Sequence, residues 1–185
     1  MNNDHRWFHC TTHTYGAWLP GDPRGYRTWK HSTHIEGDYK NPPPPGMYDD
    51  VLERSKGLLV QAPVVLMPRW RAIFGRAMRE KLQKFNLTLL CIALNATHCH
   101  FLAKMPPGKF PKLWMGMAKK HSNFIGKEHG WTGKLWAEGG KANPIKDRRH
   151  QLNTFEYILR HIDEGAWVWD FRDGERGAGV NEAPF

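Results

Sequence analysis

Two residue pairs have the types and spacing to do chemistry: His98 with His100, and Tyr157 with His161. The histidines lie in Thr97-His98-Cys99-His100-Phe101-Leu102. This stretch follows the apolar run Leu87-Thr88-Leu89-Leu90-Cys91-Ile92-Ala93-Leu94 and the pair Asn95-Ala96, which can turn one strand into the next. On an extended chain alternate side chains share a face, so His98, His100 and Leu102 point one way and Cys99, Phe101 and Ala103 the other. Two imidazoles so placed can converge on one metal ion or one phosphate. Two histidines on a half-exposed strand have the same spacing, and the downstream pair decides between the readings.

Tyr157 and His161 are four apart on a stretch of helical pattern and therefore stack on one face. At about 100° per residue, Leu152, Phe155, Ile158, Leu159 and Ile162 gather on the core side, and Asn153, Tyr157 and His161 fall opposite. A solvated face with an amphipathic tyrosine would look the same in isolation. Tyrosine can attack phosphorus, but its ordinary pKa near 10 leaves only about a tenth of a per cent ionised at neutral pH. It needs a polarised electrophile. A divalent metal on His98 and His100, with His161 as a third ligand, would supply one.

The elements that must position these groups follow from the patterning. Trp7-Phe8-His9-Cys10-Thr11-Thr12-His13-Thr14 reads as a first strand. Residues 16–48 are rich in proline and glycine and read as a long surface insertion. Its Arg24, Arg27, Trp29, Lys30 and His31 can meet nucleic acid by charge and stacking, or simply cover the surface. A helix is expected after Met67-Pro68, with Trp70, Ile73, Phe74 and Met78 inward and Arg69, Arg71, Arg76, Arg79, Lys81 and Lys84 left to solvent. A second runs from about Pro111 to Glu128 with a stripe of Leu113, Met117, Phe124 and Trp114. Short strands are expected at Lys134-Leu135-Trp136-Ala137 and around 142–146. Asp147 can cap a last helix that stops at Gly165.

This order predicts an α+β fold: a split β-α-β sandwich of the ferredoxin type, with helices on one face of an antiparallel sheet, plus a C-terminal helix carrying the tyrosine. His98 and His100 would then face its open side. One domain over 1–169 and a flexible tail over 170–185 are expected.

A formal net charge of +9 over 185 residues points to a polyanionic partner, with nucleic acid the leading candidate. Lys119, Lys120, Arg148 and Arg149 are the expected strand or hairpin contacts. Cys10, Cys91 and Cys99 make neither an even set nor a CxxC pair, which disfavours a disulfide framework and a zinc ribbon. No apolar leader, no run of about 18 apolar residues and no phosphate-binding glycine loop is found, so a cytoplasmic protein without membrane segment or nucleotide cofactor is expected.

His98-Cys99-His100 in a strand, then Gly133-Lys134-Leu135-Trp136, then Tyr157-Ile158-Leu159-Arg160-His161, resembles the single-tyrosine HUH transposases of the IS200/IS605 type, and most nearly their REP-associated relatives. Tyr15-Gly16-Ala17-Trp18-Leu19-Pro20-Gly21-Asp22 after the first strand is similar to members of that broader group. The resemblance covers roughly residues 7–15 and 68–168. It implies Mg²⁺ or Mn²⁺ on His98 and His100, His161 as third ligand, and Tyr157 as the nucleophile toward single-stranded or hairpin DNA. The implied product is a 5′-phosphotyrosine link and a free 3′-hydroxyl, in DNA transposition or hairpin processing.

Two residues depart from the family pattern. Cys99 replaces a larger aliphatic residue but is apolar enough to face a core. His161 replaces the usual Gln or Asn, and an all-imidazole set tilts selectivity toward Mn²⁺, or inhibitory Zn²⁺, over Mg²⁺. Two other readings stand beside the enzyme: a non-catalytic module that binds hairpin DNA or RNA, and a metal-dependent hydrolase in which Tyr157 is structural. The tyrosine helix can dock on its own sheet or on that of a second copy in a homodimer.

Overall fold

The computed structural model describes residues 6–27, 34–37, 40–106 and 110–181. The chain forms two compact units, residues 15–64 and the remainder. Trp29, Lys30 and His31, assigned above to nucleic-acid contact, lie outside the described residues.

The larger unit is an α+β structure around a six-stranded antiparallel sheet. Its strands are β1 (Arg6–His13), β4 (Thr88–Leu94), β5 (His98–Met105), β6 (Lys141–Pro144), β7 (Trp167–Asp170) and β8 (Gly174–Gly177), in the order β6-β1-β5-β4-β7-β8. Helix α2 (Pro68–Lys84) joins β1 to β4 across the intervening β5, and α3 (Pro111–Glu128) joins β5 to β6 across β1. Each connection skips one strand, an arrangement compatible with the split β-α-β sandwich.

Alternation along the strands separates two layers. Trp167 is fully buried toward α2, where Gly75 permits the contact: a Cβ there would stand 2.1 Å from the indole. The opposite face carries Cys91, Ala93, Leu102 and Val168, and Phe155 and Ile158 of helix α4 (Arg148–Leu159) close over them. Asp147 caps α4 by accepting the His150 amide at 2.7 Å, as expected. The chain then tightens into a 3-10 turn over Arg160–Glu164 and leaves through Gly165, whose φ of 78° suits glycine.

Several expectations need correction. The second face is not open above β4 and β5, because the last helix folds back onto it. The stripe of α3 is not Leu113 and Phe124, which are 48% and 57% exposed. Trp114, Met115, Ala118, Ser122 and Gly126 turn inward instead. Small residues win because α2 lies so close that a Cβ on Gly126 would meet Phe74 at 2.3 Å. Trp70 and Ile73 are only partly buried, and Ala72, Ala77 and Leu82 join Phe74 and Met78 inside.

The α2 arginines are also less exposed than the pattern implies. Arg76 and Arg79 both pair with Glu175, at 2.7 and 2.6 Å. Their partner lies in the supposed flexible tail, where Gly174–Gly177 pairs with Trp167–Asp170 in a hairpin that extends the sheet. Near Lys134-Ala137 the structure has a single bridge, Thr14 to Trp136, rather than a strand.

The smaller unit reaches to residue 64, past the expected end at 48, since it includes helix α1 (Asp49–Gly57). It also holds the two-residue pair β2 (Tyr26–Arg27) and β3 (His34–Ile35). Within it Tyr15 accepts the Val64 amide on its carbonyl at 2.8 Å and the Val60 amide on its hydroxyl at 3.0 Å. Trp18 donates its indole N–H to the Gly25 carbonyl at 2.7 Å, and Asp22 pairs with Arg24. The Tyr15–Asp22 motif is therefore held locally at Trp18 and Asp22 and by residues 60–64 at Tyr15.

Candidate metal centre

Strand register gathers the imidazoles. Thr11 stands opposite His100 and His13 opposite His98, and directly opposed residues share a face. The helix laid over that face delivers Tyr157, and the 3-10 turn behind it delivers His161. One ligand atom each from His98, His100 and His161 lie within 4.8 Å of one another. The ring centroids are 4.9 Å apart for His98 and His100, 4.7 Å for His100 and His161, and 5.4 Å for His98 and His161.

Each ring is held by its neighbours. His161 donates Nδ1–H to the Tyr157 carbonyl at 3.0 Å. A carbonyl can only accept, so this ring carries a proton on Nδ1, which leaves Nε2 as the atom to face an ion. Nδ1 of His100 lies 3.0 Å from both Thr11 Oγ1 and His9 Nε2. Thr97 Oγ1 lies 3.3 Å from Nδ1 of His98.

Burial, reinforced by the neighbouring imidazoles His98, His161, His9 and His13, holds the His100 pKa far below the ordinary value, so the ring is neutral. Burial first, and then the charges of His161, His150 and Lys141, lower His9 to about 4. Neutral rings with a pinned Nδ1 are the form in which histidine ligates a metal. The three clustered nitrogens form a donor set that could hold a metal ion.

Tyr157 is 42% exposed, and its ring meets His161, His100 and His9 edge-on, with centroids 4.9, 5.5 and 5.8 Å apart. The four residues singled out from spacing thus come together, on one chain. The basic residues do not all follow them. Lys119 is half-buried on α3 and donates Nζ to the Ala137 and Gly139 carbonyls, at 2.5 and 2.9 Å. These bonds tie the 137–139 loop down. Burial lowers its pKa to about 8, an effect that Glu138 partly opposes. Lys120 is exposed on α3, whose sheet face is the one away from the imidazoles. Arg148 and Arg149 are exposed at the start of α4, about 12–14 Å along the helix from Tyr157.

His9 and Thr11 were missed as site residues. The alternation His9, Thr11, His13 along β1 was visible, but nothing in the sequence shows that β1 lies beside β5 in this register.

A scan against protein-family profiles finds no match, and a search of curated proteins finds none. Among the described residues no helix is long and apolar enough to cross a membrane.

Proposed function

We propose that this protein is a metal-dependent, single-strand-specific DNA nickase and strand transferase of the single-tyrosine HUH class, with Tyr157 as nucleophile. The observation that carries the reading is the meeting of a half-exposed tyrosine with three clustered histidines, two from a strand and one from the turn after the tyrosine's own helix.

His98, His100 and His161 would hold the ion, which when bound supplies the Lewis acidity that polarises a phosphodiester. The rest is done by the chain. The Tyr157 oxygen attacks phosphorus, one P–O bond forms, and the bond to the 3′-oxygen breaks. The proton lost by the phenol balances the one gained by the departing 3′-oxygen. The phosphotyrosyl diester nearly conserves the energy of the bond broken, so rejoining needs no nucleotide. Arg148 and Arg149 can draw in the phosphate backbone by charge. A tyrosine on a covering helix suits an unpaired strand, because a duplex partner would keep the phosphate from its reach.

The test is direct. Labelled single-stranded hairpin DNA incubated with the protein and Mn²⁺ should yield an adduct that survives denaturation, and chelation of the metal should prevent it. Binding without an adduct would instead favour the non-catalytic module.

A further inference from the structure

The hydrogen bonding behind His100 assigns a task to two residues of β1. His100 is enclosed, with 6% of it exposed, and its Nδ1 has two neighbours at 3.0 Å, Thr11 Oγ1 and His9 Nε2. A neutral imidazole has one proton for two nitrogens. With the proton on Nδ1, Nε2 offers a lone pair to an ion. With the proton on Nε2, the ring cannot ligate through that atom at all.

The backbone leaves the matter to these side chains. His100 and Thr11 face each other across the β1–β5 ladder, and His9 is two residues along β1 on the same face. Thr11 offers an oxygen that can accept from Nδ1–H, and His9 offers a second acceptor when its own proton is on Nδ1. The His9 and His100 rings are 5.1 Å apart and tilted 39°, so the pair is in direct contact.

We propose that Thr11 and His9 are positioning residues that hold His100 as its Nδ1–H tautomer and so keep its Nε2 available to a metal ion. The inference rests on the reading of His98, His100 and His161 as a metal centre. Neither belongs to the group of three that could hold the ion. They act through His100, as outer partners of metal-bound histidines generally do.

Thr11→Val keeps the branched shape and removes the acceptor oxygen, Thr11→Ser restores the oxygen, and His9→Phe keeps a ring without its nitrogens. Long-range proton–nitrogen NMR on the metal-free, full-length protein reads the His100 tautomer, and calorimetry with Mn²⁺ alone reads affinity. Wild type and Thr11→Ser should show His100 protonated on Nδ1. The double variant Thr11→Val/His9→Phe should shift His100 toward Nε2–H and bind Mn²⁺ about ten- to a hundredfold more weakly. A folded double variant that binds as tightly as wild type would overturn the inference, as would a wild-type His100 protonated on Nε2. If the double variant does not fold, the single variants decide by the same two readouts. If wild type takes up no Mn²⁺, the metal-centre reading fails separately, and the metal-free tautomer still settles the role of Thr11 and His9.

Discussion

Tyr157→Phe deletes one oxygen from a ring that is 42% exposed. The edge-on contacts with His161, His100 and His9 are made by the ring itself and survive the change. No apolar surface is uncovered and no cavity opens, so the terms that dominate core substitutions are absent. The stability change should therefore stay within about 0.5 kcal/mol, which for a chain of this length is about 1–2 °C in Tm. Activity should respond in the opposite manner. The atom that forms the bond to phosphorus is gone, and the adduct on a denaturing gel should vanish at every time point. Tyr15 is the natural substitute to check, but its hydroxyl already accepts the Val60 amide at 3.0 Å. The decisive comparison is adduct yield beside a thermal melt on the same preparation. A wild-type rate of adduct formation in Tyr157→Phe refutes the nucleophile, and a lost adduct with a collapsed melt refutes the packing argument.

Three further predictions reach other parts of the chain. His98→Ala should remove Mn²⁺ binding in calorimetry and abolish cleavage while most DNA affinity persists, because the proposed function assigns the phosphate contacts to the basic surface; unchanged metal affinity would sink the ligand assignment. Gly75→Ala should gain about 1 kcal/mol of helix propensity but lose about 1–3 to overpacking against the fully buried Trp167. The net loss should appear as a lower urea midpoint, and a stabilised variant would show that α2 can move away. For Lys119, the folded pKa of about 8 lies below the ordinary 10.5. Between those values the unfolded chain binds more protons, so the stability of wild type relative to Lys119→Met should rise with pH across that window and be flat below it. A flat difference throughout would contradict the burial of the amine.

The parts of this fold legible in the sequence are those governed by local rules. Pro68 at the start of α2, the Asp147 cap on α4 and the glycine exit at Gly165 each depend on a few neighbouring residues. The imidazole face of β5 followed from alternation alone. What stayed hidden depends on which elements meet. The inward side of α3 is set by its close approach to α2, where Ala118, Ser122 and Gly126 fit and the larger Phe124 does not. The hairpin of β7 and β8 was obscured by Gly174, Gly177 and Gly179, which read as a loose tail until Glu175 is seen between Arg76 and Arg79. His9 and Thr11 belong to the site only through the β1–β5 register, a relation between residues about ninety positions apart.

That same hairpin bears on the chemistry, because it locates His161. The histidine sits in the turn after α4, and its carbonyl accepts the Ala166 amide at 3.0 Å just before β7 begins. Asn95, at the end of β4, holds Glu164 of the turn through a hydrogen bond of 2.8 Å. One row of paired residues then runs across the sheet from Thr11 through His100 and Ala93 to Val168. The pairing of β7 with β4 therefore sets where the turn stands relative to His100. Two of the imidazoles are placed by β5 alone, but the third is placed by a strand that comes after it in the chain. A slip of one residue in β7 would turn Val168 off the face that Phe155 and Ile158 cover, and it would carry His161 away with the turn. The β4–β7 pairing that extends the sheet and the turn that completes the histidine cluster are thus tied together through Ala166.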